Sequence, residues 1–166
     1  MATTNKSIDV ASARFRSTVF PATVKANGTS IPIFGLAFDA GTDEAAFFAF
    51  RATGYGSGNL TLTIHWYADT ATTNSVVWGA SIGAITAGTD TTDVEAKSLA
   101  TENTTTTAAR TSAQALQTTD ITISNLDSIA NGDLLLLRLR RVGSNGSDTM
   151  SGDAIAVALT LSYSDS

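Results

Sequence analysis

The sequence predicts an all-β protein: an antiparallel jelly-roll β-sandwich of about eight strands, with an N-terminal arm and one long loop insertion. Three observations lead there. Several segments alternate apolar and polar residues with period two, the mark of a strand buried on one face. Glycine- and asparagine-rich turns separate those segments, and no segment carries a strong apolar stripe at helical spacing.

Taken in chain order, Met1–Arg16 is polar and reads as an arm, leaving 17–166 as one domain. Ile31–Phe38 is a strand candidate whose Pro32 favours an edge or a bulge. Glu44–Thr53 follows, rich in phenylalanine and alanine. The strongest alternation runs over Asn59–Asp69, with Leu60, Leu62, Ile64 and Trp66 inward and Thr61, Thr63, His65 and Tyr67 outward. Val76–Thr86, Thr118–Ser124 and Asp133–Val142 are β-branched, aromatic or leucine-rich. In the last strand Ile155, Val157, Leu159, Leu161 and Tyr163 are expected inward, with alanines and hydroxyls outward. Turns are expected at Ala26-Asn27-Gly28, Gly54–Gly58, Asn131-Gly132-Asp133 and Gly143–Gly146, the second of them as a flexible hairpin tip. Asp90–Gln117 breaks the pattern and is expected as short helices or an extended loop.

Composition narrows the function. A length of 166 residues suits one domain, and with no cysteine there is neither a disulfide framework nor a thiolate metal centre. The opening lacks the roughly 7 to 15 apolar residues of a signal peptide, which points to cytoplasmic synthesis. No apolar run approaches the roughly 20 residues of a membrane-spanning helix. Net charge is −5 with the basic residues scattered, which argues against direct nucleic-acid binding. Charged residues make up 15% of the chain, against about 25% in an average domain, so the surface is neutral and suited to meeting another macromolecule.

Chemistry is sparse. His65 is the single histidine, and an ordinary exposed histidine is the expected reading, so no enzyme activity and no cofactor are expected. Asp39, Asp43 and Glu44, and likewise Asp90 and Asp93, are loop carboxylates that read as turn caps rather than as metal ligands. Asp133–Val142 is more informative. Leu135, Leu137 and Leu139 face the core, while Leu134, Leu136, Arg138 and Arg140 share the other face as candidate partner-binding residues, together with Arg14 and Arg16 of the arm. A covering by a loop or by the terminal arm of the same chain is the competing reading. Tyr55, His65, Tyr67 and Trp78 form an alternative, carbohydrate-binding set if they are exposed.

The run from Leu60 to Ala68, then Val77-Trp78-Gly79, then Gly132-Asp133 with the leucine/arginine strand to Arg141, then Asp153 before an alternating last strand, resembles the jelly-roll modules of tailed-bacteriophage virion proteins. The resemblance implies a capsid decoration (cement) protein on the outer capsid surface, a homotrimer whose arm reaches across major capsid protein subunits. The alternative that it leaves open is a phage fibre or receptor-binding, carbohydrate-binding β-sandwich module.

Overall fold

The computed structural model describes residues 2–27, 30–70 and 72–165, and is an antiparallel β-sandwich with jelly-roll character. Among these residues ten strands form two sheets: β1 (Thr3–Ile8), β2 (Ala22–Asn27), β3 (Pro32–Phe38), β4 (Ala45–Arg51), β5 (Tyr55–Ala68), β6 (Ser75–Ile85), β7 (Asn103–Ala108), β8 (Gln117–Ile123), β9 (Leu134–Arg141) and β10 (Ala154–Asp165). Sheet A has the order β2-β3-β10-β5-β8, with β1 also paired to β10; sheet B has the order β4-β9-β6-β7. All seven strand segments expected from alternation or composition are present. The Gly28 turn lies outside the described residues.

The core is the set of inward residues that the period-two pattern marks. Leu60, Leu62, Ile64 and Trp66 from sheet A meet Trp78, Ala80 and Ile82 and Leu135, Leu137 and Leu139 from sheet B. Trp66 and Trp78 pack edge to face with ring centroids 5.7 Å apart, and Phe38 meets Trp78 the same way at 5.1 Å. The Trp66 indole N–H donates to Thr119 Oγ1 at 2.9 Å, whereas that of Trp78 has no partner among the described residues.

Several expectations are corrected. The last strand keeps one phase only from Leu159 onward. A register shift against β5 between Ala156 and Ala158 marks a bulge at Val157, which flips the preceding residues, so Ala154 and Ala156 enter the core and Ile155 and Val157 lie on the outer face. Small side chains there leave room for the tryptophan pair, since Ala156 sits opposite Trp66. Pro32 is the first residue of β3, a place where its missing N–H costs nothing, and the sheet edge is β2. Tyr55–Gly58 belong to β5 rather than to a flexible tip, and Gly54 makes the turn with φ +78°.

The expected arm is built into the domain. Thr3–Ile8 pairs with β10, Ile8 and Val10 are buried in the core, and Arg14 bridges to Phe47 of β4. Two apolar anchors in a polar segment suffice for this, and period-two counting overlooks them. The 90–117 insertion likewise contains a strand, β7, whose threonines pair with β6 from Trp78↔Thr105 outward along the edge of sheet B. Threonine's β-branching suits a half-exposed edge strand even where the run's one aliphatic residue is Ala108.

At one end of the sandwich Arg141 is fully buried against the equally buried Asp148, in a two-pronged contact of 3.0 and 2.7 Å. Its remaining N–H groups donate to the carbonyls of Phe38, Gly152 and Met150, which ties the 143–153 loop to both sheets. Substituting Arg141→Met would leave the Asp148 carboxylate buried without its countercharge. The expected loss is about 3–5 kcal/mol of unfolding free energy, read by urea denaturation; a loss below about 1 kcal/mol would show that the pair is not what holds this end.

Candidate functional site

The two outer sheet faces are unlike. On sheet A, outward positions of adjacent strands align in rows: Ser7, Thr160, Thr63 and Asp120 in one, and Asn5, Ser162, Thr61 and Thr122 in the next. A third row holds Ala158, His65 and Thr118. Neighbouring strands lie about 4.8 Å apart, so the rows form a grid of hydroxyls with one imidazole and one carboxylate on a rigid support. Thr63 Oγ1 donates to Asp120 Oδ1 at 2.6 Å and Ser162 Oγ to Asn5 Oδ1 at 2.7 Å. These bonds fix the direction of each hydroxyl while leaving lone pairs free.

At the end of this face, Tyr67 packs with Ile155 and Ala37, flanked by Val24 and Val157, in a small apolar cluster separate from the core. Burial, then the nearby Asp69, raises the Tyr67 phenol pKa, so the hydroxyl stays protonated and able to donate. Of the four residues expected for carbohydrate, the structure puts His65 and Tyr67 on the outward side of β5, with His65 half-buried in the grid and Tyr67 buried at its end. The other two lie elsewhere: Trp78 is locked in the core by Trp66 and Phe38, and Tyr55 is buried with its hydroxyl on the Gly58 carbonyl at 2.8 Å. No stacking platform can be made from them. The His65 ring makes no hydrogen bond among the described residues, so nothing orients it as a base towards a nucleophile.

On sheet B, the 97–102 segment crosses the outer face. Ala100 N–H donates to the Ile82 carbonyl at 2.8 Å, and Glu102 accepts from Arg138 at 3.0 Å and from Arg140 at 3.0 and 2.6 Å. Arg140 also meets Asp43 at 3.1 Å. The close approach depends on two glycines of β6, since a Cβ on Gly79 would stand 2.5 Å from the Glu102 carboxyl carbon and one on Gly83 3.1 Å from Leu99. Arg138 and Arg140, expected at a partner interface, are thus committed within the chain, because the insertion supplies the acid that neutralises them. Leu134 is half-buried opposite Arg51 and Ile85. Leu136, Arg14 and Arg16 do come together, around a cleft of about 260 Å³ between the N-terminal segment and the insertion. Sequence reasoning missed Glu102; the signal was a pair of glycines four apart on one face of an otherwise apolar strand.

The loop carboxylates have structural partners. Asp43 accepts from the Ser144 amide and hydroxyl, both at 2.9 Å; burial alone would raise its pKa, but these bonds, with Arg140, hold it below the ordinary value. Asp90 accepts from the Thr86 amide, and Asp93 caps the short 3-10 turn at Val94–Ala96. Asp39, Glu44 and Asp153 gather near Arg141; burial above all, aided by repulsion among the acids, raises the pKa values of Glu44 and Asp153 against the pull of Arg141 and, for Glu44, of the Asp39 amide.

No family model matches the sequence, and no curated protein does. Solved structures do match in shape. The carbohydrate-binding module CBM35 from Cellvibrio japonicus Abf62 superposes with a TM-score of 0.54 at 14% identity, over 98% of this chain and 99% of that one. An arabinose-bound α-L-arabinofuranosidase, MgGH51, gives a TM-score of 0.54 at 9% identity, with 92% of this chain aligned to 23% of the enzyme. Isomalto-dextranase of Arthrobacter globiformis T6 in complex with panose gives 0.51 at 13% identity, over 95% of this chain and 23% of that one. At these identities the likeness is one of fold, a β-sandwich jelly roll.

The raised carboxyls carry a pH consequence. Glu44 and Asp153 hold their protons more tightly folded than unfolded, so they favour the fold at low pH, and that contribution is lost as pH rises from the ordinary carboxyl range through their raised values. The double variant Glu44→Gln, Asp153→Asn should flatten this decline in thermal stability; an unaltered pH profile would contradict it.

Proposed function

We propose that this chain is a non-catalytic recognition module that binds neutral carbohydrate on the outer face of sheet A. The observation that carries the reading is the contrast between the faces: the face of sheet B is crossed by the chain's own insertion, while that of sheet A lies open with hydroxyls, His65 and Asp120 in register on adjacent strands. Such a grid matches the alternating donors and acceptors of a sugar chain. Binding would come from many hydrogen bonds on a preorganised surface, which the buried Tyr67–Ile155 cluster braces at one end. The shape likeness to carbohydrate-binding modules supports the same reading, and among the described residues neither a poised nucleophile nor an oriented base speaks for catalysis. Affinity in the micromolar range or weaker is expected, since no aromatic platform contributes.

A second reading, the capsid decoration role that the sequence resemblance implies, draws on a different observation. The β2 edge of sheet A is free among the described residues, and Ile31 and Ile33 beside it are exposed on a surface of low charge, which suits strand-edge and apolar contact with a capsid subunit or between three copies. Its partner would be the major capsid protein and its location the outer capsid surface. The arm has no part in it, since that segment is used within the domain.

The two readings separate in affinity gel electrophoresis through a panel of soluble neutral polysaccharides, run with light scattering for native mass. The carbohydrate reading expects retardation by at least one polysaccharide and a loss of about tenfold or more in affinity for His65→Ala and for Thr63→Val, with folding intact. No retardation by any polysaccharide, together with a stable trimer, would overturn it in favour of the decoration role.

A further inference from the structure

We propose that the cleft on the outer face of sheet B is a second binding site, specific for an amphipathic organic anion: an apolar ring or chain bearing a carboxylate or sulfate group. Its floor is apolar, formed by Phe47 and Ala49 of β4 and Leu136 of β9, with Leu99 of the insertion and Phe15 of the N-terminal segment as walls. Phe15 is 38% exposed at the mouth, tilted against Phe20 at 5.7 Å. About 260 Å³ of space holds a bicyclic ring or a medium alkyl chain.

Charge decides the class of ligand. Arg14, Arg16 and Lys97 stand around the cleft against one acid, Glu95, in a chain whose net charge is −5. Lys97 is held by Asp127 at 2.8 Å, and Arg138 and Arg140 next door by Glu102. Arg14 and Arg16 have no acidic partner among the described residues. The Arg16 guanidinium instead lies over the Phe47 ring, 5.1 Å from its centroid, which holds the cation at the edge of the apolar floor. An adjoining polar cavity of about 370 Å³ shares Arg16, Glu95, Lys97 and Leu99 and reaches Arg138, whose buried Nε–H has no partner among the described residues. An anion there would gain a two-pronged guanidinium contact while its apolar part leaves water. The site is independent of the carbohydrate reading, since it lies on the opposite sheet.

The test uses the fluorescent aryl sulfonate 8-anilinonaphthalene-1-sulfonate on the intact, folded protein, with uncharged N-phenyl-1-naphthylamine as its neutral counterpart. Saturable one-to-one binding of the sulfonate is expected, weakened by added salt and by about tenfold in the double variant Arg14→Gln, Arg16→Gln. His65→Ala should bind it unchanged, which keeps this outcome separate from the carbohydrate test. A near-UV circular dichroism spectrum confirms that each variant is folded. Equal affinity for the neutral probe, no saturable binding, or full retention in the double arginine variant would each overturn the proposal.

Discussion

The structure depends most on how β10 sits in sheet A. It pairs with β5 along nearly its whole length and with β1 and β3 on its other edge, so three strands distant in sequence are aligned by one template. Antiparallel pairing forces side chains to alternate, and a strand of twelve residues with a single phase would place either Ala156 or Leu161 on the wrong face. The bulge at Val157 resolves this conflict. Alanines then lie beneath the tryptophans, leucines and Tyr163 fill the other half of the core, and the outer face is left to Thr160, Ser162 and a small apolar cluster. The polar grid of sheet A is therefore a consequence of where the core residues must go.

Sheet B meets a different constraint. Leu136, Arg138 and Arg140 alternate with core leucines, so they must face outward, yet two neighbouring arginines on a sheet repel each other. The insertion answers this with Glu102, and the close crossing requires Gly79 and Gly83 beneath it. Where the insertion leaves the sheet near Val94, the floor of phenylalanine and leucine is uncovered and the N-terminal segment brings Arg14 and Arg16 alongside. The cleft exists because two covering segments, one from each side, stop short of meeting.

Much of the fold was legible because it rests on local alternation. Leu60, Leu62, Ile64 and Trp66 and Leu135, Leu137 and Leu139 point inward as their pattern requires, and the turns expected at 131–133 and 143–146 fall on either side of β9. What stayed hidden depends on long-range pairing. The bulge in β10 is invisible without β5 beside it, and the threonines at 104–107 become a strand only against Trp78 and its neighbours in β6. The arm joins the sheet through Ile8 and Val10, two residues in a polar stretch. The candidate site was legible only in part. The outward placing of His65 follows from the parity of β5; Tyr67 shares that parity but is buried, Tyr55 and Trp78 are buried as well, and the pairing of Thr63 with Asp120 spans 57 positions.

If the open face of sheet A is where this protein meets its ligand, backbone amide chemical-shift mapping tests it most directly. The isotopically labelled protein would be titrated with neutral oligosaccharides cut from whichever polysaccharide retards it. Perturbations grouped at 61–67, 118–122 and 158–162 are expected. Shifts grouped instead at the loops of the Arg141 end, or around Arg14 and Arg16, would contradict it.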